Sequence, residues 1–148
     1  VMYVAAQLVG AAVGAYLLAM VIPDTLEGTL GAHALSANID AGAGLIIEAL
    51  LTFFLVFVIF ATAVDPKGPS SLAPVAIGLI VLVDHFVGVP LTGASMNPAR
   101  SFGPALASGE WMNHWVYWVG PIAGGIIAAN LYEILFIRWG AGGDVKDS

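Results

Sequence analysis

The chain contains no cysteine. That excludes disulfide bonding, thiolate metal sites and thiol nucleophiles together. Charge is almost as scarce: Asp, Glu, Lys and Arg make up 9% of the 148 residues, against about 25% in a soluble domain. Only four residues are Lys or Arg, too few for the basic patch that nucleic acid requires, so no nucleic-acid partner is expected. The net charge of -6 falls largely at the ends and in connections, at Asp24, Glu27, Asp40, Asp65, Asp144 and Asp147. No polar or Pro-rich tract reads as a linker, and residues 1–148 are expected to form one domain. No nucleophile, base and orienting group stand together, so an enzyme is not expected. His33 and His114 fall in or near connections without ligand-like spacing, and neither a metal nor a cofactor is expected.

Apolar residues fill the space that charge leaves, at 59% of the chain. Crossing a bilayer takes about 20 consecutive, mainly apolar residues. Residues 1–22, 45–64, 72–89 and 115–137 qualify, the third being short. The first stretch has no basic leader and is punctuated by glycine, unlike a signal peptide. The chain also opens on Val1, already inside an apolar run. The expectation is a fragment whose upstream part lies outside this sequence.

Lys and Arg give the orientation. Lys67 lies in the connection 65–71, while Arg138 and Lys146 follow the last span. Those positions share one side, and connection 23–44, which has no Lys or Arg, lies on the other. The positive-inside rule then places the Lys67 loop and the C-terminus in the cytoplasm, in a multi-pass protein of a plasma or inner membrane. Trp111 and Trp115 near one end of the last span, and Trp139 at the other, fit interfacial belts.

Small residues mark helix contacts. Gly10 and Gly14 form one GxxxG spacing, and Gly120 and Gly124 a second, which allows close backbone approach in lipid. Gln7 shares the face of Gly10 and Gly14. It is expected to act as structural support, bonding to a neighbouring backbone.

The most specific segment is Thr92-Gly93-Ala94-Ser95-Met96-Asn97-Pro98-Ala99-Arg100-Ser101-Phe102-Gly103-Pro104-Ala105. Asn is a favoured N-cap, and Pro is favoured at the first helical position, where its missing N–H costs nothing. A short helix over residues 98–106 follows. It is too short to span, so it is read as a half-helix entering from the outer side and returning through 107–113. Irregular polar backbone at bilayer depth survives only where it lines a cavity or is buried in protein. An Arg there marks a polar pathway.

This segment resembles the second signature loop of the aquaporin (major intrinsic protein) family. The likeness extends along the chain: Ala6-Gln7-Leu8-Val9-Gly10 resembles the third membrane helix, Glu48 the buried Glu of the fourth, Ala76-Ile77-Gly78 with His85 the fifth, and residues 113–121 the start of the sixth. The resemblance implies an all-α membrane protein, an aquaporin-like helix bundle with four spanning helices and one re-entrant half-helix in this chain. The first two helices and the first Asn-Pro-Ala loop are absent. It further implies passive, cofactor-free water conduction through a bilayer, with protons and ions excluded. The complete protein would be a homotetramer with one pore per subunit.

Residue by residue, the resemblance assigns Asn97, Pro98 and Ala99 to the signature motif and Arg100, His85 and Ala94 to the constriction. A fourth, aromatic constriction position has no counterpart here. Ser101, Ala105, Tyr117 and Trp118 resemble the water-selective members. Glu48 is expected to be a structural carboxylate ordering a signature loop. Asp84 is unusual beside the constriction His and is expected to face a neighbouring helix or subunit. Two alternatives stay open: an aquaglyceroporin-like channel for small neutral solutes, and a non-conducting four-span structural or assembly protein.

Overall fold

The computed structural model describes residues 1–139. Five helices carry it: α1 (Met2–Val21), α2 (Ala41–Ile59), α3 (Ala73–Gly88), α4 (Pro98–Ser108) and α5 (Val116–Tyr132). Wider π-type turns extend α2 over Phe60–Val64 and α5 over Glu133–Arg138. No strand occurs among the described residues. Four helical spans, Met2–Val21, Ala41–Val64, Ser70–Gly88 and Val116–Arg138, are long and apolar enough to cross a membrane. The four spans expected from the sequence are all present.

Local chemistry explains the shifted boundaries. The second span begins at residue 41, not 45, because Asp40 caps it: its Oδ1 accepts from the N–H groups of Gly42 (2.8 Å) and Ala43 (2.9 Å). Helix α4 runs past residue 106 to Ser108. It stops where Gly109 adopts φ 80°, the left-handed conformation that glycine takes readily, and returns its N–H to the Ala105 carbonyl at 2.9 Å.

Helices α2 and α5 lie side by side and run in the same direction, start against start and end against end. Their contact explains the second glycine pair: a Cβ at Gly124 would collide with the Ala49 backbone, and one at Gly120 with the Glu48 side chain. At the far ends, Phe57 and Phe136 pack around Tyr132, whose hydroxyl donates to Asp65 Oδ2 at 3.0 Å. The connection holding Lys67 thus sits at the same end of the molecule as Arg138. Lys146, the third residue used for orientation, lies outside the described residues.

Helix α4 packs along α1 and touches α5. Gly103 permits the contact, since a Cβ there would strike the Ala11 carbonyl. The first glycine pair departs from expectation: Gly10 and Gly14 face open space, with nothing within 4 Å of a built Cβ. Glycine spacing marks a face that a helix can approach, and no described residue occupies this one.

Much of the outer surface is apolar. Met20, Leu79, Phe86 and Ile127 are each more than half exposed. Helices apolar on nearly every face belong in hydrocarbon or protein, not water. With the four spans, this makes the chain an integral membrane protein.

Candidate functional site

The site begins with one carboxylate. Glu48, on α2, is completely buried. Its Oε1 accepts from the Thr92 hydroxyl at 2.6 Å and the Ser95 N–H at 3.0 Å, and its Oε2 from the Met96 N–H at 2.9 Å. These three bonds fix a loop that would not hold its shape alone. Gly93 (φ 90°), Ala94 (φ 57°) and Met96 (φ 52°) are left-handed. For non-glycine residues that conformation costs about 1–2 kcal/mol each. The Tyr117 hydroxyl of α5 adds a bond to the Thr92 carbonyl at 2.9 Å. The carbonyls of Ala94 and Ser95 accept no hydrogen bond among the described residues.

The loop delivers Asn97 to the start of α4. Asn97 Oδ1 accepts from the Ala99 N–H at 2.9 Å. The acceptor must be the oxygen, so the two N–H groups of the side-chain amide are left without a partner among the described residues. Pro98 fills the first helical position. Asn97, Pro98 and Ala99 line a cavity of about 240 Å³ together with Gln7 and Trp118. The expected backbone bond of Gln7 is absent: its side chain is exposed, makes no hydrogen bond among the described residues and faces that cavity, because no described backbone lies across from it.

One turn into α4, Arg100 projects into a larger cavity of about 500 Å³, walled by α1 residues including Gly14 and by Leu30 and Gly31 of the connection between α1 and α2. Its Nη1 donates to the Gly31 carbonyl at 3.1 Å. Gly14 of the first GxxxG pair therefore opens onto the cavity that holds Arg100.

His85 is half-buried on α3, and its Nδ1 lies 2.7 Å from the Val81 carbonyl. A carbonyl only accepts, so Nδ1 carries a proton, and in the neutral ring Nε2 presents a lone pair. Neither His85 nor Ala94 lines the two cavities above. The Ala94 side chain is 1% exposed and packs with Leu51 and Met96. Its left-handed backbone brings the methyl against Leu51 and Gly88, so its side chain does not form an open wall in this chain.

Asp84 faces a neighbouring helix, α2. It is buried, its Oδ2 has no partner among the described residues, and it borders an apolar cavity of about 390 Å³ with Leu50, Leu51 and Phe54. The described residues contain no group of three or more His, Cys, Asp or Glu fit to hold a metal.

Two site residues have no trace in sequence spacing. His33, in the connection between α1 and α2, is buried against Tyr117 with ring centroids 5.3 Å apart, and its Nδ1 lies 2.9 Å from Ser101 Oγ. Ser101 Oγ meets Ser95 Oγ, which donates to the Asn97 carbonyl at 2.9 Å. Burial pushes His33 down to about 4, and the Arg100 guanidinium adds to the effect.

Comparison with known proteins agrees with this geometry. The Major intrinsic protein family model matches residues 1–132. Aquaporin-4 of Bos taurus and of Homo sapiens are each 49% identical over 140 residues, covering 92% of this chain and 42% of the relative. Aquaporin TIP4-4 of Zea mays is 46% identical over 140 residues, covering 94% of this chain and 55% of the relative. The chain thus spans about half the length of the curated relatives it matches. A family model that covers the first three spans, the Asn97 loop and most of the fourth span, and relatives near half identity, place the chain in the major intrinsic protein family.

Proposed function

We propose that this chain forms one half of the wall of a water-selective channel, with a second half carrying the first Asn-Pro-Ala loop. The observation that carries this reading is the Asn97–Arg100 turn. A carboxylate-fixed loop ends in a half-helix whose N-terminus, free Asn97 amide and Arg100 guanidinium all offer donors to open cavities. Water passing such a site presents its oxygen to the Asn97 amide and to the positive end of α4. A water held by fixed donors cannot reorient to relay a proton. Arg100 and the half-helix dipole repel cations, the exclusion described for pores of this kind.

In this reading His85 narrows the passage opposite Arg100, its Nε2 lone pair serving as a further acceptor. Gln7 bonds to the backbone of the second half, which walls the open side of the cavity it now faces. The Lys67 loop is cytoplasmic. The complete protein is a homotetramer with a pore in each subunit, and transport is passive without cofactor.

The test is osmotic and solute flux in proteoliposomes holding the complete channel. Wild type should conduct water and leave glycerol uptake at the liposome background. His85→Gly should raise glycerol uptake while water flow persists. Glycerol uptake that stays at background in the variant means that His85 does not narrow the passage. Glycerol uptake by wild type would make the protein a channel for small neutral solutes as well.

A further inference from the structure

We infer that His33 is a positioning residue, a latch that fastens the connection between α1 and α2 to α4 and thereby fixes Arg100. The inference rests on the reading of Arg100 as the constriction cation.

With the Ser95 proton on the Asn97 carbonyl, proton counting gives the direction of the other bonds from His33 to Asn97. Ser95 has one hydroxyl proton, and it goes to the Asn97 carbonyl, which can only accept. Ser101 must then be the donor to Ser95. With the Ser101 proton committed, its oxygen is the acceptor for His33, so His33 carries its proton on Nδ1. The run reads His33 Nδ1–H to Ser101, Ser101 to Ser95, and Ser95 to the Asn97 carbonyl, with the Asn97 N–H also reaching Ser95 Oγ at 3.4 Å. Its far end lies on the residue that caps α4.

His33 also governs what Arg100 meets. Two residues before it, Gly31 sits at φ 75° and turns its carbonyl to Arg100 Nη1 at 3.1 Å. The His33 ring is packed on the Tyr117 ring on one side. On another it occupies the space where Gly93 lacks a Cβ, since an added carbon there would lie 2.6 Å from the ring. The ring is thus held by α5, the signature loop and α4 together. Freeing it releases Gly31 and lets Arg100 swing within a cavity of about 500 Å³. Arg100 spans the passage only while this carbonyl holds it, so a loosened latch widens the constriction without removing a pore-lining side chain.

Amide side chains separate this role from mere packing. The Asn amide nitrogen takes the place of His Nδ1, whereas the longer Gln places its nitrogen near Nε2. His33→Asn should preserve the Ser101 bond, and His33→Gln should lose it. In the complete channel reconstituted in liposomes, His33→Gln and His33→Ala should raise the glycerol-to-water permeability ratio about tenfold, the scale on which a site discriminates a group of methylene size. His33→Asn should stay near wild type, and all three should conduct water. Arg100→Val serves as the reference for an open constriction. If Arg100→Val raises the ratio while Ala and Gln at position 33 leave it at the wild-type value, the latch is refuted and the constriction reading stands. An Asn variant as leaky as Gln also refutes the hydrogen-bonded latch. If no variant, Arg100→Val included, changes the ratio, both readings fall.

Discussion

At the scale of single residues, Glu48 supplies three acceptor contacts to a loop that is left-handed at three positions. Gln is nearly isosteric but brings an amide nitrogen that cannot accept. In Glu48→Gln, one or more of the Thr92 hydroxyl, Ser95 N–H and Met96 N–H loses its acceptor in a buried site, at about 1–3 kcal/mol for each unsatisfied group. The variant should unfold at a lower temperature in detergent than wild type, and water permeability should fall as Asn97 loses its fixed position. An unchanged unfolding midpoint together with unchanged flux would show that the loop holds itself. The contrast with His33 shows what sequence conveys. Asn97, Pro98 and Arg100 announce themselves because capping, helix entry and a lone charge are local and rare among apolar residues. His33 and Ser101 stand far apart in the chain, and no periodicity links a histidine in a connection to a serine on a half-helix. Ala94 is assigned to the constriction by resemblance alone; that its methyl is buried by a left-handed backbone is a matter of dihedral angle that composition does not encode.

At the scale of elements, the spans are legible because hydrocarbon imposes a minimum length, and their ends are less so because caps decide them. Asp40 and Gly109 each move a boundary by a few residues. The glycine pairs show a second limit. Spacing identifies faces that permit approach, yet only the pair on α5 has its partner here. The α1–α4 contact depends on a glycine outside both pairs, Gly103, pressed against the Ala11 carbonyl. Gly103→Val should push α4 away from α1, and overpacking of a tight contact costs about 1–3 kcal/mol. Water permeability of the complete channel should drop sharply, while Gly10→Ala, facing open space, should leave folding intact. Trypsin susceptibility and size-exclusion profiles of the two variants check the difference. Equal behaviour of Gly103→Val and wild type would contradict the packing described for α4.

At the scale of the whole molecule, the polar groups of the site are satisfied on one side and open on the other. Glu48, Thr92, Ser95 and Ser101 have their partners within the chain. Gln7, the Asn97 amide and much of Arg100 face cavities. Unpaired polar groups in hydrocarbon cost several kcal/mol each, so in a bilayer these faces require water or protein. The chain spans 42% of aquaporin-4 and 55% of a plant relative, which supports a second half as the covering protein. The most direct test of that account is osmotic water permeability of liposomes holding this chain alone, compared with liposomes in which it is co-assembled with a segment carrying two further helices and the first Asn-Pro-Ala loop. The account predicts flux at the lipid background for the chain alone and rapid, glycerol-excluding water flux for the assembled pair. Full water permeability from the purified, monomeric chain would contradict it.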